Sequence, residues 1–123
     1  MTSAIRPDQL AEAVAAFLRE RVVPALEGDL AFEARVSANA LELVVRALRE
    51  PPTVRAEHHA RLVELTGRDG SQEELEALLC EMIRRGEIDE SSPALMSHLL
   101  RSTIDALKVD QPRYSALRAR EEA

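Results

Sequence analysis

LAFEARVSANALELVVRALR, residues 30–49, is the stretch that decides the fold. When its residues are placed at about 100° steps around a helix, the apolar ones cover well over half of the circumference and the charged ones occupy the remainder. An ordinary surface helix shows only one apolar stripe. We therefore expect a central helix that other helices bury on several sides. The apolar positions are Leu30, Phe32, Ala34, Val36, Ala38, Ala40, Leu41, Leu43, Val44, Val45, Ala47 and Leu48.

Proline, glycine and capping residues divide the rest of the chain into four more helices, because each of them starts or stops a helix for a steric or hydrogen-bonding reason. No segment shows the alternation of apolar and polar residues that is typical of a strand. The sequence thus predicts an all-α fold, a five-helix bundle around the central helix. The predicted helices begin near Pro7, Asp29, Thr53, Ser71 and Pro93, and they end near Pro24, Pro51, Gly67, Gly86 and Pro112.

The size and composition of the chain favour one domain. Its 123 residues are a common domain length, and no shift in composition separates two halves. We therefore expect a single helical domain over residues 1–123, with frayed ends at residues 1–6 and 118–123.

The charge and the residue types exclude several classes of partner. A net charge of -6 and an aromatic content of 2% argue against nucleic acid, because such binding needs clustered cations or stacking rings. No run of about 18 apolar residues is present to span a bilayer. Cys80 is the only cysteine and cannot form an intramolecular disulfide, as expected in a reducing compartment. We predict a cytoplasmic protein that binds neither nucleic acid nor membrane.

Three polar residues of the central helix are candidate ligand contacts: Glu33, Arg35 and Asn39. Asn39 lies among apolar neighbours, where an amide needs hydrogen-bond partners, so it either fixes helix packing or contacts a polar ligand. Glu33 lies near the helix start, where the helix dipole favours a carboxylate. Arg35 carries a guanidinium that matches a carboxylate or a phosphate, and a salt bridge between helices is its alternative role.

The histidines do not form a recognisable metal-binding motif. His58 and His59 are adjacent, and adjacent side chains on a helix point about 100° apart, so they do not chelate one ion. His58 with His98 and a carboxylate is the nearest approach to a metal site. We predict neither a metal nor another cofactor.

The fifth predicted helix contains residue types that are used in catalysis, but one helix does not bring them into a catalytic arrangement. His98, Ser102 and Asp105 share this one helix, whereas a nucleophile, its base and an orienting acid need to converge from several directions. We expect the three side chains to face solvent, and we predict no catalytic residue. The predicted buried face of the helix consists of Met96, Leu99, Leu100, Thr103, Ile104 and Leu107.

Three segments of the chain resemble a small bacterial all-helical family of unknown function. They are AFEARVSANAL at residues 31–41, Arg6-Pro7-Asp8, and Gln111-Pro112-Arg113-Tyr114. Members of that family look to be encoded beside aminoglycoside-phosphotransferase-like kinases and acyl-CoA dehydrogenases. The resemblance implies a helper role in the catabolism of acyl-CoA or related carboxylic acids, with such an enzyme as partner. It carries no catalytic residue onto this chain.

Two functions follow as hypotheses. The first is an accessory protein without enzymatic activity that docks to a kinase-like or dehydrogenase partner, or to a second copy of itself, through an exposed apolar patch. The alternative is a small-ligand-binding or enzymatic bundle with a polar pocket near Arg35 and Asn39. Further candidate lining residues of that pocket are Glu33, His58 and Tyr114.

Overall fold

A computed structural model of the protein describes residues 4–123. The structure is 78% helical, and the described residues contain no strand, so the all-α prediction is confirmed. Six α-helices follow one another along these residues, one more than predicted. They are α1 (Pro7–Phe17), α2 (Gly28–Leu48), α3 (Pro52–Thr66), α4 (Gln72–Arg84), α5 (Pro93–Asp110) and α6 (Ser115–Glu122).

The chain consists of two compact units, Met1–Glu50 and Pro51–Ala123. We call the first the hairpin unit, which holds α1 and α2, and the second the four-helix unit, which holds α3 to α6. The organisation of residues 1–123 as one domain stays a prediction. The predicted fraying of the amino-terminal end lies outside the described residues at positions 1 to 3.

Local capping signals place most helix boundaries where the sequence predicts them. The Ser71 hydroxyl accepts a hydrogen bond from the Glu74 N–H at 3.1 Å, and the Ser92 hydroxyl accepts one from the Leu95 N–H at 3.2 Å. Both bonds satisfy donors that the first turn of a helix leaves free. Gly67 ends α3 with a positive φ of 68°, a conformation that costs glycine little.

A proline changes the end of the first helix. After α1, the backbone forms a π-helical turn at Leu18–Val22 and a 3-10 turn at Val23–Ala25. Pro24 offers no N–H, and its ring clashes with the carbonyl group four residues earlier. The wider turn accommodates this clash, which confirms the prediction that Pro24 kinks or ends the helix.

Small side chains build the contact between the two helices of the hairpin unit. The helices run antiparallel, because the start of α1 is paired with the end of α2. Ala15 on α1 is buried, as are Ala31, Ala38 and Val45 on α2. The α2 positions are seven residues apart and therefore lie along one line of the helix. Their small size lets the two backbones approach closely.

The structure does not bury α2 on several sides, contrary to the prediction. The helix is continuous, as expected. Its apolar arc is broad enough to contain several lines of apolar residues, and α1 packs against the line of small ones. A wide arc in a sequence does not reveal which part of it meets a neighbour. The large apolar side chains left exposed are Leu30 (57%), Phe32 (61%), Val36 (48%), Val44 (42%) and Leu48 (51%).

Four leucines form the core of the four-helix unit. They are Leu62 on α3, Leu75 and Leu79 on α4, and Leu95 on α5. Leu95 shows that the buried face of α5 differs from the predicted one, whose residues Met96, Leu99 and Leu100 are each more than 40% exposed.

The carboxyl-terminal segment forms a helix that the sequence analysis missed. We predicted a frayed end at residues 118–123, but helix α6 extends through Glu122. Leu117 anchors it, because this side chain is only 3% exposed. Tyr114 precedes the helix and stays 47% exposed.

Candidate functional site

A polar network joins three helices of the four-helix unit. His58 on α3 contacts Glu76 on α4 through Nε2, at 2.9 Å from Oε1. Its Nδ1 lies 3.3 Å from the hydroxyl of Ser102 on α5. With Glu76 ionised and His58 neutral, the Nε2–H donates to the carboxylate, and Nδ1 accepts from the hydroxyl.

His98 extends the network into the interior. Its side chain is 3% exposed, and its ring centroid lies 5.0 Å from that of His58. Arg61 donates a hydrogen bond from Nε to His98 Nδ1 at 3.0 Å, so the His98 proton resides on Nε2. Burial, and then electrostatic interactions with His58 and Arg61, hold the pKa of His98 below its ordinary value of 6.5.

The prediction that His98 faces solvent is wrong. Leu95 and Ser102 lie three and four residues away on the same face of α5, and this face, rather than the one with more apolar residues, is turned inward. Ser102 and Asp105 are partly buried. We call His58, Arg61, Glu76, His98 and Ser102 the histidine network.

Arg61 has a hydrogen-bond donor that the histidine network leaves without an acceptor. Its Nη2 atom is buried and has no hydrogen-bond acceptor. Among residues 4–123, no acidic side chain forms a salt bridge with it, and its guanidinium contacts the neutral ring of His98 instead. A buried donor without an acceptor is unusual in a folded protein, because it has lost its hydration without replacement.

The order hydroxyl, imidazole, carboxylate matches that of a serine nucleophile, its base and an orienting acid. Acyl transfer also needs donors for the developing oxyanion. Ser102 lies inside α5, where the helix uses the backbone N–H groups, so its own backbone supplies no such donors. Within residues 4–123, no three His, Cys, Asp or Glu side chains are grouped to hold a metal ion.

Three of the predicted site residues lie in the hairpin unit and are exposed: Glu33, Arg35 and Asn39. The expectation that Asn39 is buried is therefore wrong. Its Oδ1 accepts a hydrogen bond from Arg19 Nη2 at 2.6 Å. The carbonyl group of Glu33 accepts one from the Ser37 hydroxyl at 2.9 Å, so these groups serve contacts within the unit.

The other two predicted site residues, His58 and Tyr114, lie in the four-helix unit. His58 joins the histidine network, whereas Tyr114 stands before α6. The sequence analysis missed Arg61, whose spacing of three residues from His58 is the one signal that placed it on the same face of α3. Ligand binding by the predicted set stays a prediction.

Ion pairs hold one flank of the hairpin unit. Arg49 pairs with Asp8 at 3.0 Å and with Glu12 at 2.8 Å, and Arg19 pairs with Glu42 at 2.8 Å. The hydrogen bonds from Arg49 lower the pKa of both of its acidic partners. A shallow groove of about 360 Å³ follows the same flank. The charged sides of α1 and α2 thus lie together.

The opposite flank of the hairpin unit is apolar and exposed. Because the ion pairs gather the charged sides of both helices on one flank, the apolar residues beyond the buried alanine line face the opposite flank. Those on α1 are spaced by four and three residues, so they form one stripe. This apolar flank consists of Leu10, Val14 and Phe17 on α1 and Leu30, Val44 and Leu48 on α2, each between 42% and 58% exposed.

Comparison with known proteins identifies one related family. A family model described as a domain of unknown function, DUF6285, matches residues 24–114. No curated protein and no solved structure matches the chain. The matched segment contains the histidine network and the α2 side of the apolar flank. None of the helices in residues 4–123 has the length and apolar character needed to cross a membrane.

Proposed function

Because the chain belongs to the DUF6285 family, a domain of unknown function, we propose its role from its surface: it is a helical accessory protein that binds a protein partner through the apolar flank. The observation that carries this proposal is the exposure of six large apolar side chains on a unit of two helices. Monomeric proteins rarely expose a large contiguous apolar patch without an interaction to cover it.

The gain from covering this flank is large compared with the stability of a small unit. Complete burial of one Leu, Val or Phe side chain contributes roughly 1.5–3 kcal/mol, and the flank offers six partly exposed ones. Among residues 4–50, the hairpin unit itself buries only Ala15, Ala31, Ala38 and Val45. A partner with an apolar helical face therefore stabilises this unit as it binds.

The sequence resemblance supplies candidates for that partner. It implies a bacterial protein that assists an aminoglycoside-phosphotransferase-like kinase or an acyl-CoA dehydrogenase, and the single cysteine favours the cytoplasm as its location. A second copy of the chain is the second candidate, because two apolar flanks packed face to face form an isologous four-helix contact.

The alternative function is a ligand-binding or enzymatic site near Arg35 and Asn39. Such a site requires that a ligand replace the hydrogen bond between Arg19 and Asn39, which measures 2.6 Å. Arg35→Ala and Asn39→Ala test it: a loss of ligand binding with an unchanged melting temperature supports the alternative, and unchanged partner binding by both variants supports the accessory role.

The accessory role is tested by titrating the purified chain with each purified candidate enzyme in a calorimeter. We expect Leu10→Glu combined with Phe17→Glu to weaken binding at least 100-fold, because central apolar contacts each contribute about 2 kcal/mol or more. Both residues are more than half exposed, so the melting temperature is expected to change little.

The matched control is Ala16→Glu. Ala16 is exposed on the same helix but lies beside the groove of the charged flank, so this variant is expected to bind like the wild type. Light scattering tests the second candidate, since a dimer that the double variant converts to a monomer identifies a second copy as the partner. A monomer that binds neither enzyme at micromolar concentration contradicts the proposal.

A further inference from the structure

We propose that Arg61, with its neighbours on α3 and α5, forms a binding site for a carboxylate group. The guanidinium uses Nε to donate to His98, while its buried Nη2 has no acceptor. No salt bridge to an acidic side chain neutralises it within residues 4–123. A buried N–H donor without an acceptor has lost its hydration without replacement, and an anion that reaches Nη2 from outside the chain supplies the missing acceptor.

The hydrogen-bond partner of Arg61 is neutral, and the two acidic residues nearest to it on α3 do not pair with it: Glu57 pairs with Arg101, and Glu64 forms no salt bridge with Arg61. His98 must stay neutral while its Nδ1 accepts from Arg61, so it does not replace the missing anion. The hydroxyl of Ser102 lies beside the paired rings through its contact with His58. Arg61 as a whole is only partly buried, so part of the residue is in contact with solvent.

The charge balance favours a carboxylate over a phosphate. Arg61 adds one positive charge, and Glu76 already places a negative charge on the far side of His58. A monoanion neutralises Arg61, whereas a dianion leaves excess negative charge beside Glu76. The planar guanidinium also matches a carboxylate with two parallel hydrogen bonds.

Amide chemical shifts of the full chain, recorded during titration with acetate, test the site. We expect saturable shifts at His98 and Ser102. Arg61→Gln should weaken this binding roughly ten- to hundred-fold, as expected for the loss of hydrogen bonds to a charged group. Arg55→Gln is the matched control, because Arg55 is an exposed arginine on the same helix, and it should leave the affinity unchanged.

Two further titrations distinguish the possible sources and chemical types of the bound anion. A short polyglutamate peptide represents a carboxylate of a protein, and tighter binding of acetate than of the peptide identifies a small acid as the ligand. Inorganic phosphate should bind more weakly than acetate. Equal binding of phosphate, or shifts that do not saturate or map elsewhere, overturns the proposal.

A second variant, which retains the positive charge at position 61, keeps the proposal testable if the first variant does not fold. If Arg61→Gln does not fold, Arg61→Lys keeps the positive charge but loses the planar fork, and it should bind acetate more weakly than the wild type. Acetate affinity equal to that of the wild type in Arg61→Lys or Arg61→Gln contradicts the assignment.

Discussion

The protonation state of His98 depends on residues that folding brings to it from other helices. Arg61 donates a hydrogen bond to Nδ1 of His98, and the ring centroid of His58 lies 5.0 Å from that of His98. Glu76 in turn contacts Nε2 of His58. None of these neighbours is close to His98 in the sequence. Local signals such as the Ser71 cap depend on residues three positions away, which is why the sequence predicted the caps but not this network.

The buried histidine predicts a pH dependence of stability. Because the pKa of His98 is lowered in the folded protein, the unfolded chain binds a proton there more readily. The contribution of neutral His98 is complete above about pH 6.5 and declines as the pH falls below it, by at most about 1.4 kcal/mol per pH unit. The titratable and charged groups that face it are Arg61, His58 and Glu76.

Urea denaturation between pH 5 and pH 8 measures this effect. His98→Asn, which keeps an acceptor for Arg61, should remove most of the decline in unfolding free energy. The control is His59→Gln, since His59 pairs with Asp69 near the surface and should leave the decline in place. An equal decline in the wild type and His98→Asn excludes His98 as its source.

At the scale of helices, the sequence predicted five of the six α-helices, but it did not predict correctly which faces of α2 and α5 are buried. Prolines, glycines and caps fix helix ends through local sterics, and these signals are readable without a structure. The sequence does not reveal which face of a helix with a wide apolar arc is buried. Helix α2 packs through Ala31, Ala38 and Val45 rather than through its largest side chains. Helix α6 escaped prediction because Leu117 is its one buried residue, too few for a periodic pattern.

Leu117 is expected to contribute to stability as a core residue. It is 3% exposed, so Leu117→Ala should lower the free energy of unfolding by roughly 2–5 kcal/mol through lost burial and a residual cavity. Arg118→Ala, at the next and exposed position of α6, should change it by less than about 0.5 kcal/mol. Equal stabilities of the two variants in chemical denaturation contradict a packed α6.

At the scale of the molecule, the two units bury very different amounts of apolar surface. The four-helix unit buries five leucines, whereas residues 4–50 of the hairpin unit bury three alanines and a valine. The helical spacing of apolar residues, without any strand-like alternation, predicted the all-α class. It could not predict where burial is incomplete, because that depends on which stripe of α2 meets α1.

Hydrogen exchange, measured by mass spectrometry for the chain alone and with its partner, tests the role of the apolar flank most directly. Amides of α1 and α2 should exchange faster than those of α3 to α5 in the free protein, since fewer contacts are buried around them. Partner binding should slow exchange in α1 and α2, and the double variant Leu10→Glu, Phe17→Glu should abolish that protection. A bound partner that protects only the four-helix unit contradicts the proposal that the apolar flank is the docking surface.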